Sequence, residues 1–157
     1  MGRITPFLWF DTEAEQAAQF YCSVFKNSSI ASTTHYGEAG PGVAGSVMTV
    51  AFELDGQPFV ALNGGPEYSF TEAVSFSVDC ADQAEVDYYW DALTADGGEE
   101  GPCGWAKDRY GLSWQVVPRE LPQLIGQPGP KGQAAMAAML QMKKIDLEEI
   151  RRAADAA

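Results

Sequence analysis

Long apolar runs are missing from this sequence: none approaches the ~20 residues a helix needs to cross a bilayer. The first ten residues, MGRITPFLWF, hold neither the extended apolar stretch nor the small-residue cleavage site of a secretion signal. Positive charge is scarce as well. Lys and Arg number 10 against 22 Asp and Glu, for a formal net charge of −12. Such a surface repels phosphate backbones and anionic headgroups, so nucleic acid and membrane are both excluded as partners. Cysteine is rare: Cys22, Cys80 and Cys103 are odd in number, widely spaced and form no C-x-x-C pair. They read as free thiols, the state expected in a reducing cytoplasm. There is one histidine, His35, with no carboxylate cluster near it in the sequence, and it reads as a surface or structural residue. No Gly-rich phosphate loop links a strand to a helix, so a parallel nucleotide-binding sheet is not expected.

What is present is a chain of 157 residues, 46% hydrophobic, long enough for one substantial core or two small modules. ITPFLWF (4–10) is a short apolar strand. Thr12 and Glu15 have capping-box spacing, and Ala14, Ala17, Ala18, Tyr21, Val24 and Phe25 follow as one helical stripe up to a stop at Asn27. Three strands come next, in 29–37, 46–56 and 57–65, with Asp55-Gly56 as a hairpin turn. The pattern then restarts. AVSFSVDC (73–80) is a strand, Asp82 caps a helix carrying Val86, Tyr89, Trp90 and Leu93, and Gly97-Gly98 closes it. A second hairpin follows, turning at Asp108-Arg109-Tyr110-Gly111 into LSWQVVP.

Shifted by 69 positions, the two halves overlay: Phe7 on Phe76, Trp9 on Val78, Ala17 on Val86, Tyr21 on Trp90 and Val24 on Leu93. The expected class is therefore α+β, with paired β-α-β-β-β modules forming a curled mixed sheet, outer helices and further helices at the C-terminus. The modules are expected at 1–66 and 67–120, with a helical tail at 121–157. In that tail QAAMAAMLQM is helix-forming, and Asp146 caps a last helix with Ile145 and Ile150 at the positions of a hydrophobic staple. Met136, Met139, Leu140 and Met142 suit core packing better than a partner surface, though a tail acting as an interaction module is a third functional reading.

The stretches ITPFLWFD, FVALNGGP, AVSFSVDC and GWAKDRYGLSWQVVP resemble the vicinal oxygen chelate superfamily, which includes glyoxalase I, bleomycin-resistance proteins and extradiol dioxygenases. Within it they are similar to the PhnB-like group labelled 3-demethylubiquinone-9 3-methyltransferase. The resemblance covers about residues 4 to 120. It implies curled half-clefts, a small organic molecule as partner and a homodimer. It also implies that the face carrying Gln115 looks into the cleft, together with Ser75, Ser77 and Leu8.

Metal-dependent members place His, Glu or Gln ligands on the first and last strands of each module. The matching positions here hold Ile4 or Pro6, Ala73, the region of Leu62 and Asn63, and Gln115. Apolar side chains and neutral amides are poor ligands for Zn²⁺ or Fe²⁺. Cys103 has Lys107 and Arg109 near it in sequence, but also Glu99 and Glu100, and reads as incidental. Gly64-Gly65 reads as a turn. Trp114 is expected in the core, while Trp105 is either core or pocket wall. The expected function is metal-independent binding of a small molecule, without a cofactor, by Leu8, Asn63, Ser75, Ser77, Trp105 and Gln115. The alternative is a metal-dependent lyase, isomerase or dioxygenase using Gln115 with Glu99 or Glu100.

Overall fold

The computed structural model describes residues 2–157. Its contacts divide the chain into two units, one up to Phe70 and the other Thr71–Ala157, and the terminal helices belong to the second. Each unit is built on a four-stranded mixed sheet with a helix on one face.

In the first unit β1 (Phe7–Phe10) leads into α1 (Ala14–Val24), then β2 (Ser29–His35), β3 (Val47–Leu54) and β4 (Gln57–Asn63). The sheet order is β1-β4-β3-β2, with β1 and β4 parallel and the other pairs antiparallel. Asp55 and Gly56, with φ of 48° and 84°, make the β3–β4 turn, and Asn27 follows α1 at φ 50°. All three sit in the left-handed region that Gly, Asn and Asp tolerate best. The buried stripe of α1 is Ala14, Ala17, Ala18, Tyr21 and Val24. Tyr21 stacks on Phe52, which stacks on Phe59 across the ladder. The small alanines let the helix lie close to the sheet while the aromatics fill the space between.

The second unit repeats the plan. β5 (Ser75–Cys80), α2 (Gln83–Thr94), β6 (Glu99–Glu100), β7 (Trp105–Lys107) and β8 (Ser113–Pro118) give the order β5-β8-β7-β6, again with the first pair parallel. Val86, Tyr89, Trp90 and Leu93 are the buried stripe of α2, and Val78, Cys80, Trp114, Val116 and Ala106 are among the buried residues of the sheet. Asp82 caps α2 as expected: its side chain accepts from the Glu85 amide at 3.0 Å, while the Glu85 carboxylate accepts from the Ala81 amide at 2.9 Å.

The tail forms α3 (Leu121–Ile125), α4 (Pro130–Met139) and α5 (Leu147–Asp155). Leu121, Ala135, Ile145, Ile150 and Ala154 make its core, with Met139, Met142 and Val117 of β8 packed against it. Asp146 caps α5, accepting from the Glu149 amide at 3.1 Å. Ile145 and Ile150 are both fully buried, as a staple requires. Gln83 of α2 ties the tail down, donating to the Ile145 carbonyl at 2.8 Å and accepting from the Leu147 amide at 2.9 Å.

Two expectations need correction. The Thr12–Glu15 capping box does not form: Glu13 is the cap residue of α1 and makes no side-chain cap bond. The Asn63 side chain takes over, its Oδ1 accepting from the Ala14 amide at 2.8 Å and its Nδ2 donating to the Val47 carbonyl at 3.1 Å. One amide thus fixes the start of α1 to the start of β3 and the end of β4. The second correction concerns the overlay of the halves. The shift of 69 matches the helix stripes, but in the first strand it pairs the wrong faces. Trp9 is half-buried on the side away from α1, whereas Val78 is buried with the α2 face. The strands correspond one residue further on, Leu8 with Val78 and Phe10 with Cys80, all four buried. One residue fewer lies between strand and helix in the second half, and with a period of two that reverses the facing of every strand residue.

Asn63→Ala is expected to lower the unfolding free energy by about 1–2 kcal/mol, since it removes both a helix cap and a cross-strand clamp. Urea denaturation of the two proteins measures it, and an unchanged midpoint would contradict the role.

Candidate functional site

Each sheet has one face under its helix and one face away from it. In the second unit the registers place Ser75, Ser113 and Lys107 side by side, and next to them Ser77, Gln115 and Trp105. Laterally paired residues share a face. All six therefore lie opposite the side where Val78, Trp114, Val116 and α2 form the core. Val117 also lies on this face and packs into the terminal cluster, so the tail covers one end of it.

A hollow of about 380 Å³ opens at the other end, against β6 and β7. Trp105 and Pro102 give it apolar walls, while Glu72, Glu99, Glu100, Lys107 and Ser113 bring its polar atoms. Lys107 and Glu72 form an ion pair. That partner, with the nearby charge of Glu99, holds the Lys107 ammonium above its usual range, and Lys107 in turn pulls Glu72 below the usual carboxylate range. Glu100 accepts from the Trp90 indole at 2.7 Å. The Gln115 amide donates to Ser75 Oγ at 3.0 Å. Ser113 is 1% exposed, and its hydroxyl is the one buried side-chain polar atom without a hydrogen-bond partner among the described residues.

The hairpin that carries this face is held from below. Asp108, 2% exposed, accepts from the amides of Tyr110 and Leu112 at 2.8 and 3.1 Å and from the Trp114 indole at 2.9 Å. A buried carboxylate with this many donors is a structural anchor. It explains why a charged residue opens the turn, with Gly111 at φ 85° completing it.

Of the expected site residues, Trp105 lines the hollow, and Ser75, Ser77 and Gln115 lie on the same sheet face beside it. Leu8 does not belong with them. It is 4% exposed and registers with Ala61 and, through it, Val50, on the face covered by α1. Its misplacement follows from the one-residue slip in the overlay. Asn63 lines a different hollow, of about 570 Å³ in the first unit, with its amide committed to Ala14 and Val47. Ser113, Lys107 and Glu72 were not singled out from the sequence as a group. The alternation of β8 placed Ser113 on the right face, but nothing in the sequence signals that Glu72 reaches Lys107.

The other chemical candidates are weaker. Cys103 is half-buried at φ 55°, with its amide bonded to the Met142 carbonyl. Lys107 is paired with Glu72 and Arg109 with Asp96, so neither base is turned to the thiol. Burial pushes the Cys80 thiol up to about 12, which leaves it neutral and unreactive at ordinary pH. Gly64 carries no cofactor signal: a Cβ there would stand 2.3 Å from the Trp9 ring, and the Trp9 indole donates to the Gly65 carbonyl at 2.9 Å. Gly64 is demanded by the tryptophan, and Gly65 by its backbone at φ 108°. Among the described residues no three of His, Cys, Asp or Glu gather where they would hold a metal. No helix of the described residues is long and apolar enough to cross a membrane.

Comparison with known proteins places this geometry. The family model described as 3-demethylubiquinone-9 3-methyltransferase matches residues 2–117. The chain belongs to that family. It is similar to the PhnB protein of Bacillus cereus, with 35% identity over 74% of this chain and 99% of that one, and a TM-score of 0.66. Protein PA1353 of Pseudomonas aeruginosa shares the fold at 19% identity, covering 75% of this chain and 98% of its own, with a TM-score of 0.62. The fosfomycin resistance protein FosX of Listeria monocytogenes shares it at 15% identity, covering 75% and 93%, with a TM-score of 0.52. No curated protein matches. The chain is thus a PhnB-like member of that family, α+β with two four-stranded mixed sheets. The family match ends near Pro118, so the three terminal helices lie outside the family's shared part.

Replacing Ser113 by Ala is expected to raise the unfolding free energy, by about 1 kcal/mol, because a buried hydroxyl without a partner is costly to the folded state. A lower thermal midpoint for Ser113→Ala would show that the hydroxyl has a structural partner after all.

Proposed function

We propose that this chain binds a small, partly polar organic molecule on the open face of its second unit, without a metal ion, and works as a cytoplasmic homodimer. The observation that carries this reading is the hollow beside Trp105. It has the size, the apolar walls and the few convergent polar groups of a small-molecule site. Its walls are rigidly held: Trp105 sits on a strand, and the Gly101–Trp105 turn is closed by bonds at 2.8 and 3.0 Å. The amides of Cys103 and Gly104 in that turn also donate to the Met142 and Lys143 carbonyls of the tail. The segment between α4 and α5 thereby braces the turn beside the hollow.

Binding rather than metal chemistry is favoured by the donor set. Gln115 is engaged with Ser75 and Glu100 with Trp90, and Glu99 stands opposite Lys107 on the neighbouring strand. These groups do not converge on one point with open coordination positions, which catalysis at a metal requires. Methyl transfer, which the family description names, finds no support in Gly64-Gly65, where Gly64 makes room for Trp9 and Gly65 takes a positive φ.

Calorimetric titration with naphthalene and 2-naphthoate tests the reading, run with and without a chelator. Binding of at least one probe is expected, insensitive to chelation and weakened about 3- to 10-fold by Trp105→Ala, the range of an aromatic contact. Elemental analysis showing one tightly held divalent ion per chain, lost together with binding on chelation, would overturn it.

A further inference from the structure

Granting that this hollow holds a ligand, the chemistry of its floor says more about what the ligand carries. Ser113 Oγ lies at the start of β8 with no partner, although a hydroxyl can donate once and accept twice. Its neighbour in register, Ser75, is already served by the Gln115 amide. On the other side stands Lys107, and Glu72 lies just before β5. β8 runs between β5 and β7, so the Lys107–Glu72 ion pair bridges β8 on the face where Ser113 points. All three residues line the same hollow, which sets the pair beside the buried hydroxyl.

This pair is weakly held. The two side chains are 36% and 62% exposed, and ion pairs at that exposure contribute little to stability. Leaving a buried hydroxyl unmet costs more than such a pair contributes. A group that opens the pair and reaches Ser113 therefore gains more than it displaces. Ser113 Oγ–H and Lys107 Nζ are both donors, so the group that suits them is an oxygen acceptor. The Glu72 carboxylate supplies such an oxygen to Lys107 now, and none to Ser113. Glu99, opposite Lys107 on β6, repels a second full negative charge and so favours a neutral carbonyl, while the Lys107 ammonium favours a carboxylate. Trp105, on the same face and two residues before Lys107, offers a flat apolar surface next to this point.

We propose that the ligand is a flat, apolar molecule bearing one carbonyl or carboxylate oxygen, and that Glu72 is an internal stand-in for that oxygen. On binding, the ligand oxygen takes the place of Glu72 at Lys107 and accepts a hydrogen bond from Ser113. Glu72 swings into solvent, where its exposure already permits it to be hydrated.

Two-dimensional NMR titrations with naphthalene, 2-acetylnaphthalene and 2-naphthoate test this, using the wild-type chain, Ser113→Ala, Ser113→Thr and Glu72→Gln. The ketone or the carboxylate is expected to bind about five-fold or more tighter than naphthalene, and whichever does so identifies the kind of oxygen. Ser113→Ala is expected to abolish that preference and leave naphthalene affinity within about two-fold, while Ser113→Thr retains the preference. Glu72→Gln, which frees Lys107, is expected to strengthen 2-naphthoate binding about five-fold with no matching gain for naphthalene. Equal binding of all three probes, or a preference that survives Ser113→Ala, overturns the proposal while the pocket stands. Absence of binding by every probe to both wild-type and Glu72→Gln protein overturns the pocket itself and the proposal with it.

Discussion

The alternation of side chains along β1, β4, β5 and β8 is the constraint on which the rest of this structure depends. Each strand sends every second residue under a helix and the others away from it. On the covered sides, Leu8, Val50, Phe52, Ala61, Val78, Trp114 and Val116 make the cores with Tyr21 and Trp90. The cost of exposing that apolar surface forbids the strands from turning over. Everything on the other side is then placed without choice. Ser75, Ser77, Trp105, Lys107, Ser113 and Gln115 come together because their neighbours in sequence are held in the core.

Against that fixed frame, the polar groups divide into those that build and those left over. Asp108 is buried and surrounded by donors, Asn63 ties three elements together, and Glu100 receives the Trp90 indole. These look like chemistry in the sequence and are architecture in the structure. Ser113 is the reverse. It looks like an ordinary strand residue and is, among the described residues, the buried side chain whose hydrogen bonding the fold leaves unmet. Beside it in the same hollow lies an exposed ion pair, the kind of contact that opens readily.

The repeated module, the helix stripes, the Asp55-Gly56 and Gly111 turns, and the caps at Asp82 and Asp146 were legible in the sequence, because each is written in local spacing or local backbone chemistry. That Gln115, Ser75 and Ser77 share a face was expected from the resemblance, while Trp105 was open between core and pocket wall until the β7–β8 register set it beside Gln115. Leu8 was misassigned because the repeat keeps its helix period but drops one residue before the helix, which local patterns cannot reveal when identity between the halves is low. The cap on α1 was also missed. Thr12 and Glu15 have the right spacing, yet Asn63, some fifty residues away in sequence, provides the acceptor. The Glu72–Lys107 bridge was hidden likewise, since it depends on which strands become neighbours.

Family membership accounts for the shared fold up to Pro118 and leaves the chemistry to the residues of this chain. Here those residues offer an apolar wall, an unmet hydroxyl and an ammonium in place of a ligand set for an ion. The most direct measurement is a crystal structure of protein purified from cells without added ligand. Density for a small organic molecule against Trp105, with an oxygen near Ser113 and Lys107, is the result the account predicts. An ion gripped by carboxylates, or a molecule seated elsewhere while Glu72 still pairs with Lys107, would contradict it.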